Sequence, residues 1–249
     1  MERVISSWWS PALQKPMEIV RYGTVGSGGP ALLMFPSAAA DYLEYERFHL
    51  IDSMAPMIDA GSITVYSINS INSESWLNHE MEPRHKAIRH QQYNQYVVDE
   101  VVPYIQEASG RVPIVTSGVS LGALHGVNSF FRRPDLFAGT IGMSGIYDLK
   151  AYTKGYFDED CYFNSPVDFL PNLEDDYLLS MMRSRSPIAI ASGRGPYEDP
   201  SASKTLSVIL HAKQIPHVLE LWDQEWGHDW PTWRAMMPHL IGRTLGHML

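Results

Sequence analysis

Residues 116–126 read TSGVSLGALHG, and this stretch predicts the architecture of the chain. The apolar run VPIVTSG (112–118) leads into Ser120, and LGALHGVNSFF (121–131) follows it as the start of a helical pattern. A serine on a sharp turn from a strand into a helix takes strained backbone angles, and the residues two positions away crowd the backbone. Gly118 and Gly122 meet that requirement. The pattern favours Ser120 as a nucleophile over a serine that caps an ordinary helix.

Short apolar runs and longer helical patterns alternate along the rest of the chain. The apolar runs are too short for helices and are rich in residues that favour strands, so we expect buried strands. They are ALLMFP (31–36), ITVYSI (63–68), FAGTIGMSG (137–145), PIAIASG (187–193) and HVLELW (217–222). The helical patterns cover 85–108, 199–214 and 230–249. This alternation predicts an α/β fold with a mostly parallel central sheet and helices on both faces.

Two segments that connect predicted strands each lead to a structural prediction. The run MEIVRYG (17–23) and the run ALLMFP flank the glycine turn GSGG (26–29), which predicts a hairpin. Residues 146–186 are aromatic, acidic and irregular, and so long a connection in a compact fold usually carries function. We expect this segment to be an irregular excursion near the active site, within a single α/β domain that spans residues 1–249.

Composition excludes several classes of function. The formal net charge is −9 and no run of lysine or arginine occurs, so no nucleic-acid partner is expected. The opening MERVISSWWSPALQKP has neither the basic nor the apolar part of a secretory signal, and no stretch approaches the ~18 apolar residues of a spanning helix. We therefore expect a cytoplasmic protein without membrane association. Cys161 is the single cysteine, which excludes an intramolecular disulfide and a cysteine-based zinc cluster.

A serine nucleophile needs a base, and in this architecture the chain order is serine, acid, histidine. His228 lies in WDQEWGHDWPTW (222–233), just after the last predicted strand, and is the favoured base. Four other histidines follow the late strands but fall in helical patterns, at a strand start or near the end of the chain. They are His211, His217, His239 and His247.

The acid is sought in ASGRGPYEDPSAS (191–203), after the strand that precedes the last one. Asp199 is predicted to be the N-cap of the following helix, with Pro200 at its first position, so its carboxylate would bind backbone N–H groups. That leaves Glu198 free to orient the histidine, and it is the favoured acid. Asp199 itself and Asp148, which follows the strand FAGTIGMSG, remain the alternatives.

An oxyanion hole needs two backbone N–H groups that point at the developing charge. The residue after the nucleophile, Leu121, supplies one. The second is expected in SAAADYLEY (37–45), after the strand ALLMFP, at Ser37 or Ala38, where small residues allow close approach to a substrate. The alternative, that SAAA simply starts a helix, is compatible with this role.

Aromatic residues are frequent around the predicted site, and two explanations compete. We expect packing in the core and at the sheet ends to account for about half of them, whereas a pocket lined by flat aromatic faces would suit aryl or short acyl groups. Of these, Tyr197, Trp226 and Trp230 are the candidate substrate-binding residues. The full set is Tyr42, Tyr45, Trp76, Tyr147, Tyr197, Trp226 and Trp230.

From about residue 18 onward the chain resembles the α/β-hydrolase superfamily, and specifically the esterases of the esterase D and mycolyltransferase-like branch. The matching pieces are FPSAAADYLEYERF, YNQYVVDEVVPYI, SGVSLGALHG, ASGRGPYED and GHDWPTWRAMMPHL. The resemblance implies a lightly covered hydrolase with the triad Ser120, Glu198 and His228. Ala123 departs from the glycine of many relatives, and no HGGG-type run occurs, so a bulky triglyceride is less expected.

The resulting hypothesis is a serine hydrolase that cleaves small soluble carboxylic esters through an acyl-enzyme, without cofactor or metal, because no metal-binding motif such as H-E-x-x-H occurs. A homo-oligomer is compatible with it. An acyltransferase would use the same triad and pass the acyl group to an alcohol. A hydrolase fold kept as a binding module would have lost a member of the triad, and none is missing from the sequence.

Overall fold

A computed structural model describes residues 1–38, 40–184 and 187–246. Within these ranges eight strands form one sheet, with the spatial order β1-β2-β4-β3-β5-β6-β7-β8. The strands are β1 (Arg3–Ser10), β2 (Lys15–Tyr22), β3 (Ala31–Phe35), β4 (Thr64–Ile68), β5 (Ile114–Val119), β6 (Gly139–Met143), β7 (Ile188–Ser192) and β8 (Val218–Leu221). Strands β3 to β8 run parallel, whereas β1 and β2 are antiparallel to their neighbours. The predicted fold class is confirmed.

The helices connect the strands across both faces of the sheet. They are α1 (Glu44–Arg47), α2 (Leu50–Asp59), α3 (Pro83–Tyr96), α4 (Val102–Ser109), α5 (Leu121–Arg132), α6 (Lys150–Thr153), α7 (Glu159–Phe163), α8 (Pro166–Phe169), α9 (Asp176–Ser184), α10 (Ser201–Ala212) and α11 (Trp230–Leu245). A π-helical turn, Val97–Val101, joins α3 to α4, and 3-10 turns occupy Asn72–Glu74 and Leu170–Asn172.

Two hydrophobic layers hold the sheet between them. Apolar residues of α3, α4, α5 and α10 pack on one face, and those of α2 and α11 pack on the other. Side chains alternate between faces along a strand, so Leu33 and Phe35 of β3 enter the first layer while Leu32 and Met34 enter the second. All five residues of β3 are buried, as expected of a central parallel strand.

The predicted hairpin between β2 and β3 is wrong. Strand β2 pairs with β1 and β4, and β4 lies between β2 and β3. A strand as apolar as β3 must be covered on both faces, which places it inside the sheet beside parallel neighbours. The hairpin of this fold is the one between β1 and β2, where Ser10 pairs with Lys15. Strand β1 went unpredicted because its residues alternate between exposed and partly buried at the sheet edge.

The segment that follows β6 consists of short helices rather than a continuous loop. Helix α7 contacts α3, and α8 contacts α5 and α10. Leu149 and Cys161 share a buried cluster with Leu121 and Leu124 of α5. The first half of the segment therefore packs against the helix that begins after Ser120. Residues 185 and 186, at its end, lie outside the described residues.

Candidate active site

Ser120 lies on the turn between β5 and α5 with φ 54° and ψ −123°. A positive φ is strained for a residue with a side chain, and such strain is concentrated at functional sites. A Cβ on Gly118 would lie 2.3 Å from the carbonyl carbon of Gly122, and one on Gly122 would lie 2.2 Å from the Phe35 oxygen. Both distances are far below contact, so both flanking positions require glycine. The turn presents the Ser120 hydroxyl, on a partly exposed residue, at the carboxyl edge of the sheet.

His228 contacts this serine from the loop between β8 and α11. Its Nε2 lies 3.0 Å from Ser120 Oγ. The imidazole side chain is 28% exposed, so protons can exchange with solvent. The next residue, Asp229, caps α11 by accepting a hydrogen bond from the Trp230 backbone N–H at 2.7 Å. The helix start therefore fixes the end of the loop that carries the histidine.

The loop that carries His228 is hydrogen-bonded to the loop after β7. The Gly195 N–H donates to the Trp226 carbonyl at 2.9 Å, and the His228 N–H donates to the Pro196 carbonyl at 2.9 Å. A Cβ on Gly193 would lie 1.9 Å from the Trp226 oxygen, so the two loops approach as closely as glycine permits. Their contact brings Glu198 to the histidine.

Glu198 lies on the far side of the imidazole from Ser120. Its Oε2 is 3.4 Å from His228 Nδ1, a long hydrogen bond, and its side chain is 1% exposed. The Ser192 hydroxyl donates to the same oxygen at 3.1 Å. The structure thus brings together the three residues that the sequence singled out, in the order serine, histidine, glutamate.

The electrostatics favour an ionised Glu198. Burial raises the pKa of its carboxyl, but hydrogen bonds from His228, Ser144 and the Gly193 backbone N–H outweigh burial and leave the pKa below the ordinary value. A carboxylate that stays charged can hold the Nδ1–H tautomer of His228 and stabilise the imidazolium when the ring accepts a proton.

Two residues of this network were missed by the sequence analysis. The Ser144 hydroxyl donates to Glu198 Oε1 and accepts a hydrogen bond from Trp233 Nε1 at 2.9 Å. Ser144 follows β6 with φ 51°, a strained angle like that of Ser120. The signal that could have found it is a serine-glycine pair directly after a buried strand. Trp233 belongs to GHDWPTW (227–233), in which only the other tryptophan, Trp230, was predicted to bind substrate.

The alternative acids bind backbone groups elsewhere. Asp199 Oδ1 accepts from the Ser201 N–H at 2.9 Å, and Asp148 Oδ1 accepts from the Lys150 N–H at 2.9 Å. Asp199 therefore engages the start of α10 as predicted, but the N-cap itself is Pro200, one residue later than expected.

Three of the other candidate histidines lie within the described residues, and none of the three is hydrogen-bonded to Ser120 there. His217 contacts Ser207, and His239 contacts Glu220. His211 is exposed on α10. His247 lies outside the described residues.

The prediction for the oxyanion hole needs a correction at Ser37. The Ser37 backbone N–H donates to Glu44 Oε2 at 2.7 Å, and its hydroxyl donates to the other oxygen of the same carboxylate. Because that N–H already donates to a buried carboxyl oxygen, it is not free to bind a substrate. In the described part of the chain the backbone N–H groups of Leu121 and Ala38 have no protein acceptor, and they remain the two candidate donors.

The carboxyl that binds Ser37 is itself unusual. Glu44 is 5% exposed, and burial raises its pKa despite the hydrogen bonds from Ser37. Next to it, the Tyr45 hydroxyl donates to the Phe35 carbonyl at 2.5 Å and accepts from the Val119 N–H at 3.3 Å. This tyrosine joins the ends of β3 and β5, directly before the two segments that carry the candidate oxyanion donors.

The aromatic candidates divide between core and surface. Three of the seven, Tyr45, Trp76 and Tyr147, are buried. Tyr197 is 95% exposed beside Glu198 and stays a candidate for substrate contact.

The two tryptophan candidates have packing partners. Trp226 packs edge-on against Trp222 with ring centroids 4.9 Å apart. Trp230 stacks on Phe48 at 4.4 Å with an interplanar angle of 1°. Both residues are partly exposed. Their roles in substrate binding stay predictions.

The described residues contain no helix that is long and apolar enough to cross a membrane. Among the same residues no three histidine, cysteine, aspartate or glutamate side chains lie close enough together to hold a metal ion.

A mostly parallel sheet, helices on both faces and a strained serine after the fifth strand define an α/β-hydrolase fold. Residues 57–243 match the family model described as "Putative esterase". The chain belongs to this esterase family, which confirms the resemblance to esterases seen in its sequence.

Solved structures share the fold at low sequence identity. A ferulic acid esterase has a TM-score of 0.76 at 15% identity and covers 100% of this chain and 98% of its own. The S-formylglutathione hydrolase of Agrobacterium tumefaciens has a TM-score of 0.74 at 12% identity, with 99% and 95% covered. The fluorophosphonate-binding serine hydrolase F of Staphylococcus aureus has a TM-score of 0.66 at 14% identity, with 99% and 98% covered. No curated protein matches the chain in sequence.

Proposed function

We propose that the protein hydrolyses small carboxylic esters through an acyl-enzyme on Ser120, with His228 as general base and Glu198 as the acid that orients it. The observation that carries the proposal is the unbroken path of contacts from Ser120 Oγ through both ring nitrogens of His228 to the buried Glu198 carboxylate. A serine hydroxyl is too weak a nucleophile without such a base.

In the acylation step Ser120 Oγ attacks the ester carbonyl carbon while its proton passes to His228 Nε2. The carbonyl oxygen becomes an oxyanion, which the backbone N–H groups of Leu121 and Ala38 stabilise. The tetrahedral intermediate then breaks its bond to the alkoxy oxygen. The leaving alcohol takes the proton from His228, and the acyl group stays on Ser120.

In the deacylation step water replaces the alcohol. His228 Nε2 takes a proton from the attacking water, and a second oxyanion forms at the same two N–H groups. The intermediate collapses by releasing Ser120 Oγ, which recovers its proton from His228, and the carboxylic acid leaves. Glu198 remains ionised throughout, as its lowered pKa supports.

For the substrate class, Tyr197 is the candidate aromatic contact for small esters with an aryl or short acyl part, because it precedes Glu198 in the chain and its side chain is exposed. Two structural neighbours are a ferulic acid esterase and an S-formylglutathione hydrolase, which suggests one oxygen ester and one thioester to test. A panel of 4-nitrophenyl esters of increasing acyl length, with methyl ferulate and a glutathione thioester, measures which class this site accepts.

The test of the mechanism is labelling with a fluorophosphonate, which phosphonylates an activated serine. We expect label on Ser120 by mass spectrometry and no hydrolysis by Ser120→Ala, because removing one member of a triad removes most of its effect. Ser129→Ala, on the same helix and partly exposed, is the matched control and should keep full activity. Label on another serine, or activity in Ser120→Ala, overturns the proposal. Transfer product that rises with added alcohol would instead favour the acyltransferase.

A further inference from the structure

A buried asparagine joins three segments below the candidate oxyanion hole. Asn72 opens the 3-10 turn after β4 and is 1% exposed. Its Nδ2 lies 2.5 Å from the Ala38 carbonyl oxygen and 3.3 Å from the Ser37 carbonyl oxygen, in the loop after β3. Its Oδ1 lies 2.8 Å from Nε2 of His125, which belongs to α5. One side chain thus ties the loop after β3 to the helix that follows Ser120.

The direction of these hydrogen bonds follows from the chemistry of the partners. Carbonyl oxygens can only accept, so the amide nitrogen of Asn72 must face Ser37 and Ala38. Its oxygen therefore faces His125, which must donate from Nε2. Burial lowers the pKa of His125 to about 3, so the ring is neutral and its single proton is on Nε2. His125 Nδ1, left as the bare nitrogen, has no partner among the described residues.

The contact between Asn72 and the Ser37 carbonyl fixes the orientation of the Ala38 N–H, because both groups belong to the same peptide. In a planar trans peptide the C=O and the N–H point in opposite directions. Asn72 holds the Ser37 carbonyl inward, so the Ala38 N–H on the same peptide points away from Asn72. Glu44 holds the preceding N–H, that of Ser37. With one contact on each side of Ser37, the peptide cannot rotate without losing a buried hydrogen bond.

His125, which binds Asn72, lies on α5, the helix that begins with the other candidate donor, Leu121. His125 and Leu121 are four residues apart on α5, one turn of helix. The two candidate donors, the N–H groups of Leu121 and Ala38, are therefore held at a fixed separation by Asn72 and His125. Preorganised donors stabilise an oxyanion because they need no rearrangement when the charge develops.

We propose that Asn72, held by His125, is a positioning residue that aims the Ala38 backbone N–H into the oxyanion hole. It touches no reacting atom and acts through the Ser37–Ala38 peptide. The proposal rests on the function proposed for Ser120, and its effect is on the developing oxyanion rather than on ester binding.

Asn72→Asp tests this with little change of shape. The carboxylate can still accept from His125 but cannot donate to the two carbonyls, so the peptide loses its restraint. We expect kcat to fall about 100-fold with KM changed less than about threefold, the size seen when an oxyanion donor is lost. His125→Gln keeps an N–H donor toward Asn72 and should retain most activity, whereas His125→Leu should resemble Asn72→Asp.

An aryl trifluoromethyl ketone separates this role from a merely structural one. The ketone forms an anionic tetrahedral adduct with the serine, so its Ki should rise by the same factor as kcat/KM falls in Asn72→Asp. A variant that is only partly folded would show fewer titratable active sites with an unchanged Ki, and that result overturns the proposal. Unchanged kcat in Asn72→Asp, with Ser120→Ala inactive, overturns this inference alone. Activity in Ser120→Ala overturns the function on which it rests.

Discussion

Ser144 donates a hydrogen bond to the oxygen of Glu198 that His228 does not contact. Ser144 in turn accepts from the indole N–H of Trp233, so the path of hydrogen bonds continues from Ser120 into the protein interior. Both Ser144 and Trp233 are 5% exposed, and water cannot easily replace either of them.

Ser144→Ala should lower kcat about tenfold and move the pH at which Glu198 loses its charge upward. Burial raises the pKa of the Glu198 carboxyl, and the hydrogen bonds to it lower that pKa. Removing the Ser144 donor should therefore raise the pKa of Glu198. A hydrogen bond to a charged group contributes roughly 1.5–3 kcal/mol, part of which the ground state also loses. The measurement is kcat against pH for both proteins. An unchanged profile would mean that Ser144 only fills space.

Glu198→Gln should reduce kcat by about 10³–10⁴-fold, because a neutral amide neither holds the productive tautomer reliably nor stabilises the imidazolium. The matched control is the adjacent Asp199→Asn. Asparagine can accept from the Ser201 N–H as aspartate does, so kcat and the melting temperature should barely change. If Asp199→Asn proves the inactive variant, the assignment of the acid moves to Asp199.

Stability should fall as the pH drops below about 6.5, the ordinary pKa of imidazole, because of two buried histidines. Burial depresses the pKa of His90 and that of His125, with the charge of Arg132 adding to the effect at His90, and their rings stack 4.7 Å apart. The unfolded chain binds protons at these sites below pH 6.5 while the folded protein does not. Their stabilisation is therefore complete above that pH and is lost progressively toward the folded values, by about 1.4 kcal/mol per pH unit for each histidine.

Denaturant unfolding between pH 8 and pH 5 measures this slope. His125→Gln should reduce it by the contribution of one histidine, about 1.4 kcal/mol per pH unit, because the group whose pKa burial lowers is then gone. An equal slope in the His125→Gln variant would assign the acid sensitivity to other groups.

Gly122→Ala should abolish folding or activity, since the added Cβ would lie 2.2 Å from the Phe35 backbone oxygen. Gly242→Ala is the matched substitution at a second helical glycine, in α11. Apart from the backbone of its own helix, no atom of the described residues lies within 4 Å of a Cβ at that position, so alanine should stabilise the protein by up to about 1 kcal/mol through its higher helix propensity. Melting temperatures and ester hydrolysis of the two variants, measured side by side, test both statements. A folded, active Gly122→Ala would contradict the close contact with β3.

Much of the site was predictable because its decisive features are local. The turn around Ser120 needs a glycine two residues away on each side. Residues 118–122 alone show whether this requirement is met. His228 and Glu198 were predicted from the chain order of the fold, each in a loop after a recognisable strand, and the structure places both beside Ser120. In these cases the physical constraint acts within a short segment, so the segment alone reveals it.

The errors arose where a group outside the local pattern takes the hydrogen bond that the pattern leaves open. Ser37 was a plausible donor by position, but Glu44, seven residues later, binds its N–H in a buried contact. The hairpin between β2 and β3 was plausible from its glycine turn, but β4 pairs with both strands.

The sequence by itself determined the strand-helix alternation and the strained turn at Ser120, because backbone strain and hydrophobic periodicity are local properties. It also predicted His228 and Glu198 as the base and the acid, which stay predictions. The tertiary structure decided which backbone N–H groups are left without a protein acceptor near Ser120 and which side chains donate hydrogen bonds to Glu198. Ser144 is 54 residues from Glu198 and 89 residues from Trp233, so their contacts exist only after the sheet has assembled. Hydrogen-bond satisfaction in a buried site depends on every group that the fold brings there, and no single segment carries that information.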